Sequence, residues 1–164
     1  SLANEPSWSQ KRVYNILFGK DLPSLHGEGW TEGISQGSLI ATNLTVASHL
    51  LGTQHFPNLE GAILVLEDIG EEPYRIDRML THWRLAGQLQ KVKGIVFGNF
   101  KNCDKAENDQ SGFTIEQVLR ERTKDLNIPV IGKIPVGHCE GNASLPLGKI
   151  AEIDGFKGTL KVLP

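Results

Sequence analysis

Two residues have side chains suited to acid–base work and stand where such work is done. Glu67 ends the continuous apolar run of residues 62–66, beside a second carboxylate, Asp68. A short run with no polar alternation reads as a strand buried on both faces. In open α/β sheets, ligands gather at the carboxyl ends of such strands. His138 follows a third apolar run, 128–134, inside the glycine-bounded segment Gly137-His-Cys-Glu-Gly141. Each has a bland reading beside the chemical one: Glu67 as a solvated strand-end acid, His138 as an exposed loop imidazole. Together they suggest the supporting pair of a serine hydrolase, a Glu that orients a His while the His activates a nucleophile. The nucleophile is missing. There is no Gly-x-Ser-x-Gly elbow, and neither Ser38 nor Ser144 sits at a strand-to-helix turn. A Cys–His pair with Cys139 lacks a third group, and consecutive side chains diverge. A metal site from His138, Cys139 and Glu140 lacks ligand spacing such as C-x-x-C.

The elements that must carry these residues are legible in outline. Ser9 is a candidate cap for a helix reaching Phe18, with Val13, Ile16 and Leu17 on one face. Residues 21–38 are rich in Gly, Ser, Pro and Glu and read as turns and short extended pieces. Within them, Trp30 reads as the cover of a core edge. A brief strand is expected over 39–41. Asn43 then suits the cap of a helix over 44–51, with a polar ligand contact as its other reading. Pro73 opens a helix whose stripe is Ile76, Met79, Leu80, Trp83 and Ala86, ending at Gly87. A second buried strand covers 92–97, and 101–111 is a polar loop. Thr114 with Gln117 marks a capping box ahead of Ile115, Val118 and Leu119. Strands near 149–153 and 159–163 close the chain. His49 and His55 read as surface histidines.

Composition removes several function classes. The 164 residues suffice for one domain with a real core. A hydrophobic fraction of 39% and a charged fraction of 22% are ordinary for a globular protein. With 17 basic and 19 acidic residues, the net charge of −2 points to neither nucleic acid nor an anionic membrane. No apolar run approaches the roughly 20 residues of a membrane span, and the N-terminus lacks the pattern of a signal peptide. Two cysteines, Cys103 and Cys139, do not make a disulfide framework. A reduced, cytoplasmic setting is the expectation.

Several segments, in this order, resemble the C-terminal domain of the serine LD-carboxypeptidases, the muramoyltetrapeptide carboxypeptidase family that also contains the microcin C self-immunity proteins. They are Gly37 through Asn43-Leu44 to Leu51-Gly52-Thr53, then Leu66-Glu67-Asp68, then Tyr74-Arg-Ile-Asp-Arg-Met-Leu80 and Ala86-Gly87. Pro135-Val-Gly-His138 and Leu145-Pro-Leu-Gly148 complete the set. The resemblance implies an α/β fold with a small mixed, partly barrel-like sheet flanked by helices. It matches Glu67 and His138 to the Glu and His of a Ser-Glu-His triad. The family's Ser and oxyanion hole belong to a separate N-terminal domain, so residues 1–164 are expected to be one domain, the C-terminal half of a two-domain enzyme. The implied reaction releases the terminal D-alanine from a cytoplasmic murein tetrapeptide, with no cofactor or metal and a homodimeric full-length protein. The rival functions are a non-catalytic peptide- or partner-binding module and an amide hydrolase of the microcin-immunity type. Three further expectations follow. The isolated chain is inactive; Glu67 and His138 meet at the ends of adjacent strands; and Trp30, Tyr74 and Leu145 form an uncovered apolar patch beside them.

Overall fold

The structure, a computed structural model, describes residues 4–104 and 112–164. Among these, one eight-stranded sheet organises the chain, in the order β1-β8-β7-β3-β4-β5-β6-β2. The strands are β1 (Leu25–His26), β2 (Glu28–Thr31), β3 (Ile34–Asn43), β4 (Ile63–Ile69), β5 (Gly94–Lys101), β6 (Val130–Gly132), β7 (Ile150–Asp154) and β8 (Thr159–Val162). The first and last strands of that order are consecutive in the chain, joined through Gly27 alone, so the sheet curls into a nearly closed barrel. Gly27 donates its N–H to Gly158 O on one side at 2.8 Å. On the other, a Cβ there would lie 2.1 Å from Gly132 O, so the closure accepts only glycine.

Among the described residues, four helices flank the sheet: α1 (Ser7–Leu17), α2 (Leu44–Ser48), α3 (Pro73–Leu85) and α4 (Ile115–Glu121). The apolar run read as a doubly buried strand is β4, and its alternation divides the core in two. Leu64 and Leu66 face a cluster with Leu44, Ile76, Leu80, Trp83 and Leu119, between sheet and helices. Ile63 and Val65 face the barrel interior with Leu39, Val96, Ile131 and Ile153. At period two, Glu67 continues the interior row and Asp68 the helix-facing row.

Three expectations need correction. The brief strand over 39–41 is the middle of the ten-residue β3. Its residues 34–38 pair antiparallel with β7, and 39–43 pair parallel with β4. The first half is polar and largely uncovered, so it carries no hydrophobic alternation to reveal it. The helix over 44–51 stops at Ser48 and continues as turns. Helix α1 is capped at Pro6, not Ser9. Its buried residues are Ser9 and Arg12, whereas Trp8, Tyr14, Leu17 and Phe18 are exposed. A moment argument puts the apolar face inward; here polar bonds decide the docking. The capping box at Thr114 and Gln117 is formed on both sides. Of the polar loop expected over 101–111, residues 105–111 lie outside the described residues.

Candidate active site

Glu67 sits one position from the buried part of β4, its side chain 12% exposed. His138 arrives from 71 residues away and places Nδ1 2.8 Å from Glu67 Oε2. An ionised carboxylate there accepts from Nδ1–H, which leaves the Nε2 lone pair for a proton. The imidazole itself is half exposed and open to a partner. The strands that deliver the two residues are not adjacent, contrary to expectation. β5 lies between β4 and β6, so the chain after β6 must cross the end of β5 to reach Glu67.

Three features make that crossing possible. Opposite β4, β5 carries a bulge: Leu66 pairs with Phe97 and Asp68 with Phe100, so Gly98 and Asn99 together face Glu67. A bulge releases backbone groups from the ladder and re-aims them. Asn99 N–H is spent on Val136 O at 2.7 Å, tying the crossing segment down. At Gly98, a Cβ would lie 2.5 Å from Val136 O and 3.3 Å from the Glu67 Cβ. At Gly137, φ is +106°, and a Cβ would meet Glu67 Oε2 at 2.6 Å. Both glycines are therefore demanded by the approach of the imidazole loop to the carboxylate.

Asn43 is the register partner of Glu67 on β3. Its side chain caps α2 by accepting from Val46 N at 2.9 Å, and its Nδ2 donates to Asp68 Oδ1 at 3.1 Å. Asp68, 1% exposed, also accepts from Thr45 N at 2.9 Å, Thr45 Oγ1 at 2.8 Å and Ile69 N at 2.8 Å. In the sequence Asp68 reads only as a carboxylate neighbouring Glu67, yet it holds the β3–α2 junction against β4. Its signal was an acid on the helix-facing parity of a buried strand.

Both cysteines are free; Cys103 is buried and Cys139 half-buried. Burial pushes the Cys139 thiol up, which disfavours the thiolate a nucleophile needs. Among the described residues, no group of three His, Cys, Asp or Glu side chains is placed to hold a metal ion. Among the described residues, no helix is long and apolar enough to cross a membrane. A cavity of about 480 Å³ opens beside the His138 loop, lined in part by Trp30, Phe97, Asn99, Lys133, Cys139 and Glu140. The expected apolar patch is not formed by its three residues together. Trp30 packs on Phe97 with ring centroids 5.5 Å apart, Arg120 lies 4.4 Å over it, and Leu145 packs against the barrel core. Tyr74 alone is open, at 57%.

Residues 36–153 match the family described as the LD-carboxypeptidase C-terminal domain. The chain belongs to that family. A Synechocystis protein named as a carboxypeptidase is 47% identical over 163 residues, covering 99% of this chain and 54% of that one. The murein tetrapeptide carboxypeptidase of Pseudomonas aeruginosa is 34% identical over 150 residues, covering 87% of this chain and 46% of that one. The crystal structure of muramoyltetrapeptide carboxypeptidase from Oxalobacter formigenes superposes with a TM-score of 0.84 at 28% identity, over 96% of this chain and 54% of that one. This LD-carboxypeptidase C-terminal domain thus spans about half the length of the curated relatives it matches.

Proposed function

We propose that this chain is the half of a serine LD-carboxypeptidase that supplies the base and its orienting acid. His138 takes the proton from a serine held by a preceding domain as that serine attacks the peptide carbonyl. It then returns the proton to the leaving amine, and a water repeats the cycle on the acyl-enzyme. Glu67 holds the tautomer with Nδ1 protonated. The observation that carries this reading is the 2.8 Å contact between His138 Nδ1 and Glu67 Oε2. The substrate is a murein tetrapeptide, from which the terminal D-alanine is released; the two relatives above whose names give a substrate both name that peptide. Asn43 stands beside Glu67 in register and is proposed to contact the peptide through whatever donor capacity its cap leaves. Family resemblance supports a cytoplasmic setting and a homodimeric whole protein.

The test uses the complete polypeptide, with the nucleophile domain, on a murein tetrapeptide. His138→Ala and Glu67→Ala should both abolish most D-alanine release, and the 164-residue chain alone should release none, since loss of a triad serine removes on the order of a millionfold in rate. Full turnover by either variant, or peptide binding without hydrolysis by the complete polypeptide, overturns the enzymatic reading and favours a binding module.

A further inference from the structure

We infer that Glu5, Ser9 and Arg12 are positioning residues for His138, holding its loop from the far end of the chain; the inference rests on the catalytic reading of His138. The segment 133–149 contains no strand and no helix. Its internal backbone bonds include Val136 N to Ile134 O, Cys139 N to Gly137 O and Ala143 N to Pro135 O. Strand β5 holds the first part of the segment, through Ile134 N to Phe97 O at 3.2 Å and Asn99 N to Val136 O at 2.7 Å, and β3 holds its end, through Gly148 N to Leu39 O at 2.9 Å. Between them, residues 141–144 are fastened by the N-terminal segment. The Glu5 carboxylate accepts from Gly141 N at 3.0 Å and Asn142 N at 3.2 Å. Ser9 donates its hydroxyl to Asn142 O at 2.6 Å, and Arg12 Nε donates to Ser144 O at 2.8 Å. Arg12 Nη1 donates to Pro23 O at 2.8 Å. The Trp8 ring completes the contact: a Cβ at Gly141, where φ is +75°, would lie 2.6 Å from it.

This arrangement explains why α1 buries its polar residues. An arginine only 4% exposed whose guanidinium bonds carbonyls is a device for fastening backbone, not for packing a core. The fastened residues lead directly to the imidazole. Asn142 closes the turn by accepting from Gly137 N with its Oδ1 at 3.1 Å, and Gly137 precedes His138. The chain of contacts therefore runs from Glu5 and Ser9 to Asn142, from Asn142 to Gly137, and from Gly137 to the His138–Glu67 pair. The three positions lie outside residues 36–153, the part matched to the family.

The experiment reads the imidazole and the loop amides in the 164-residue chain. NMR follows the ¹⁵N shifts of the His138 ring, which report which nitrogen carries the proton, and hydrogen exchange at Gly141 and Asn142. Glu5→Ala should speed exchange at those two amides by about tenfold or more, since a hydrogen bond to a charged acceptor is lost. It should also remove the protected Nδ1–H signal of His138, while the melting temperature barely moves. Glu5→Gln, which keeps an acceptor oxygen in place, should restore both signals. Ser9→Ala gives a second, independent route to the same loss. A His138 ring and loop amides unchanged in Glu5→Ala and Ser9→Ala overturn the inference, as does a loss seen only with global unfolding or one that Glu5→Gln fails to recover. The catalytic reading fails on a different result, full turnover by His138→Ala, so the two outcomes are separable.

Discussion

Asn99 donates its main-chain N–H to Val136 O at 2.7 Å, and that one bond joins the bulge of β5 to the loop that carries His138. The bond exists because Gly98, the other bulge residue, leaves no side chain in the path of the crossing segment. Gly98→Ala forces a Cβ against a backbone carbonyl, which no rotamer change can relieve. Overpacking of this kind costs about 1–3 kcal/mol, and chemical denaturation of the variant should show it.

Gly137→Ala strikes the site more directly. The new methyl meets Glu67 Oε2 in a backbone region that alanine avoids. Displacement of the imidazole by about 1 Å lowers turnover on the order of a hundredfold. In the complete polypeptide, kcat should fall with KM little changed.

Asp68 offers a stability test separate from the His138 loop. Asp68→Ala leaves Thr45 N–H and hydroxyl, Asn43 Nδ2 and Ile69 N–H without their common acceptor. Unsatisfied groups of this sort cost about 1–3 kcal/mol. Amide exchange at Thr45 and Ile69 should quicken more than at the core strands.

Acid sensitivity has a definite sign. The Lys157 ammonium, 3.0 Å from Asp154 Oδ2, holds the Asp154 carboxyl below its usual range, helped by the backbone N–H groups of Lys157 and Phe156. The Arg84 fork does the same for Asp125, and Lys133 for Glu28. A depressed carboxylate contributes stability above its unfolded pKa, and that contribution is lost as pH falls through the folded value. Melting temperature should therefore hold near neutrality and decline once pH drops below about 4. Asp154→Asn should flatten part of that decline.

Thiol titration checks the cysteines. Burial pushes the Cys103 and Cys139 thiols up. An aromatic disulfide reagent should label Cys139 slowly in the folded chain and Cys103 only on unfolding. Cys139→Ala should leave turnover of the complete polypeptide intact; its loss would revive a cysteine nucleophile.

Local chemistry was readable from residue order. A capping oxygen at Asn43, the Thr114–Gln117 box, Pro73 at a helix start and the unbroken apolar run of β4 each act within a few residues, so neighbours along the chain suffice to reveal them. Glu67 and His138 stood out by their strand-end contexts, and the family resemblance attached roles to them. Those contexts led to the expectation that the two meet, and they do, at 2.8 Å; the route was beyond sequence, because β5 lies between their strands, and strand order comes from pairing that residue periodicity does not specify. The same holds for the β5 bulge, for β3 changing neighbours midway, and for α1 docking through Ser9 and Arg12. Those features depend on which distant backbone groups need partners once the barrel has closed, and only the assembled fold decides that.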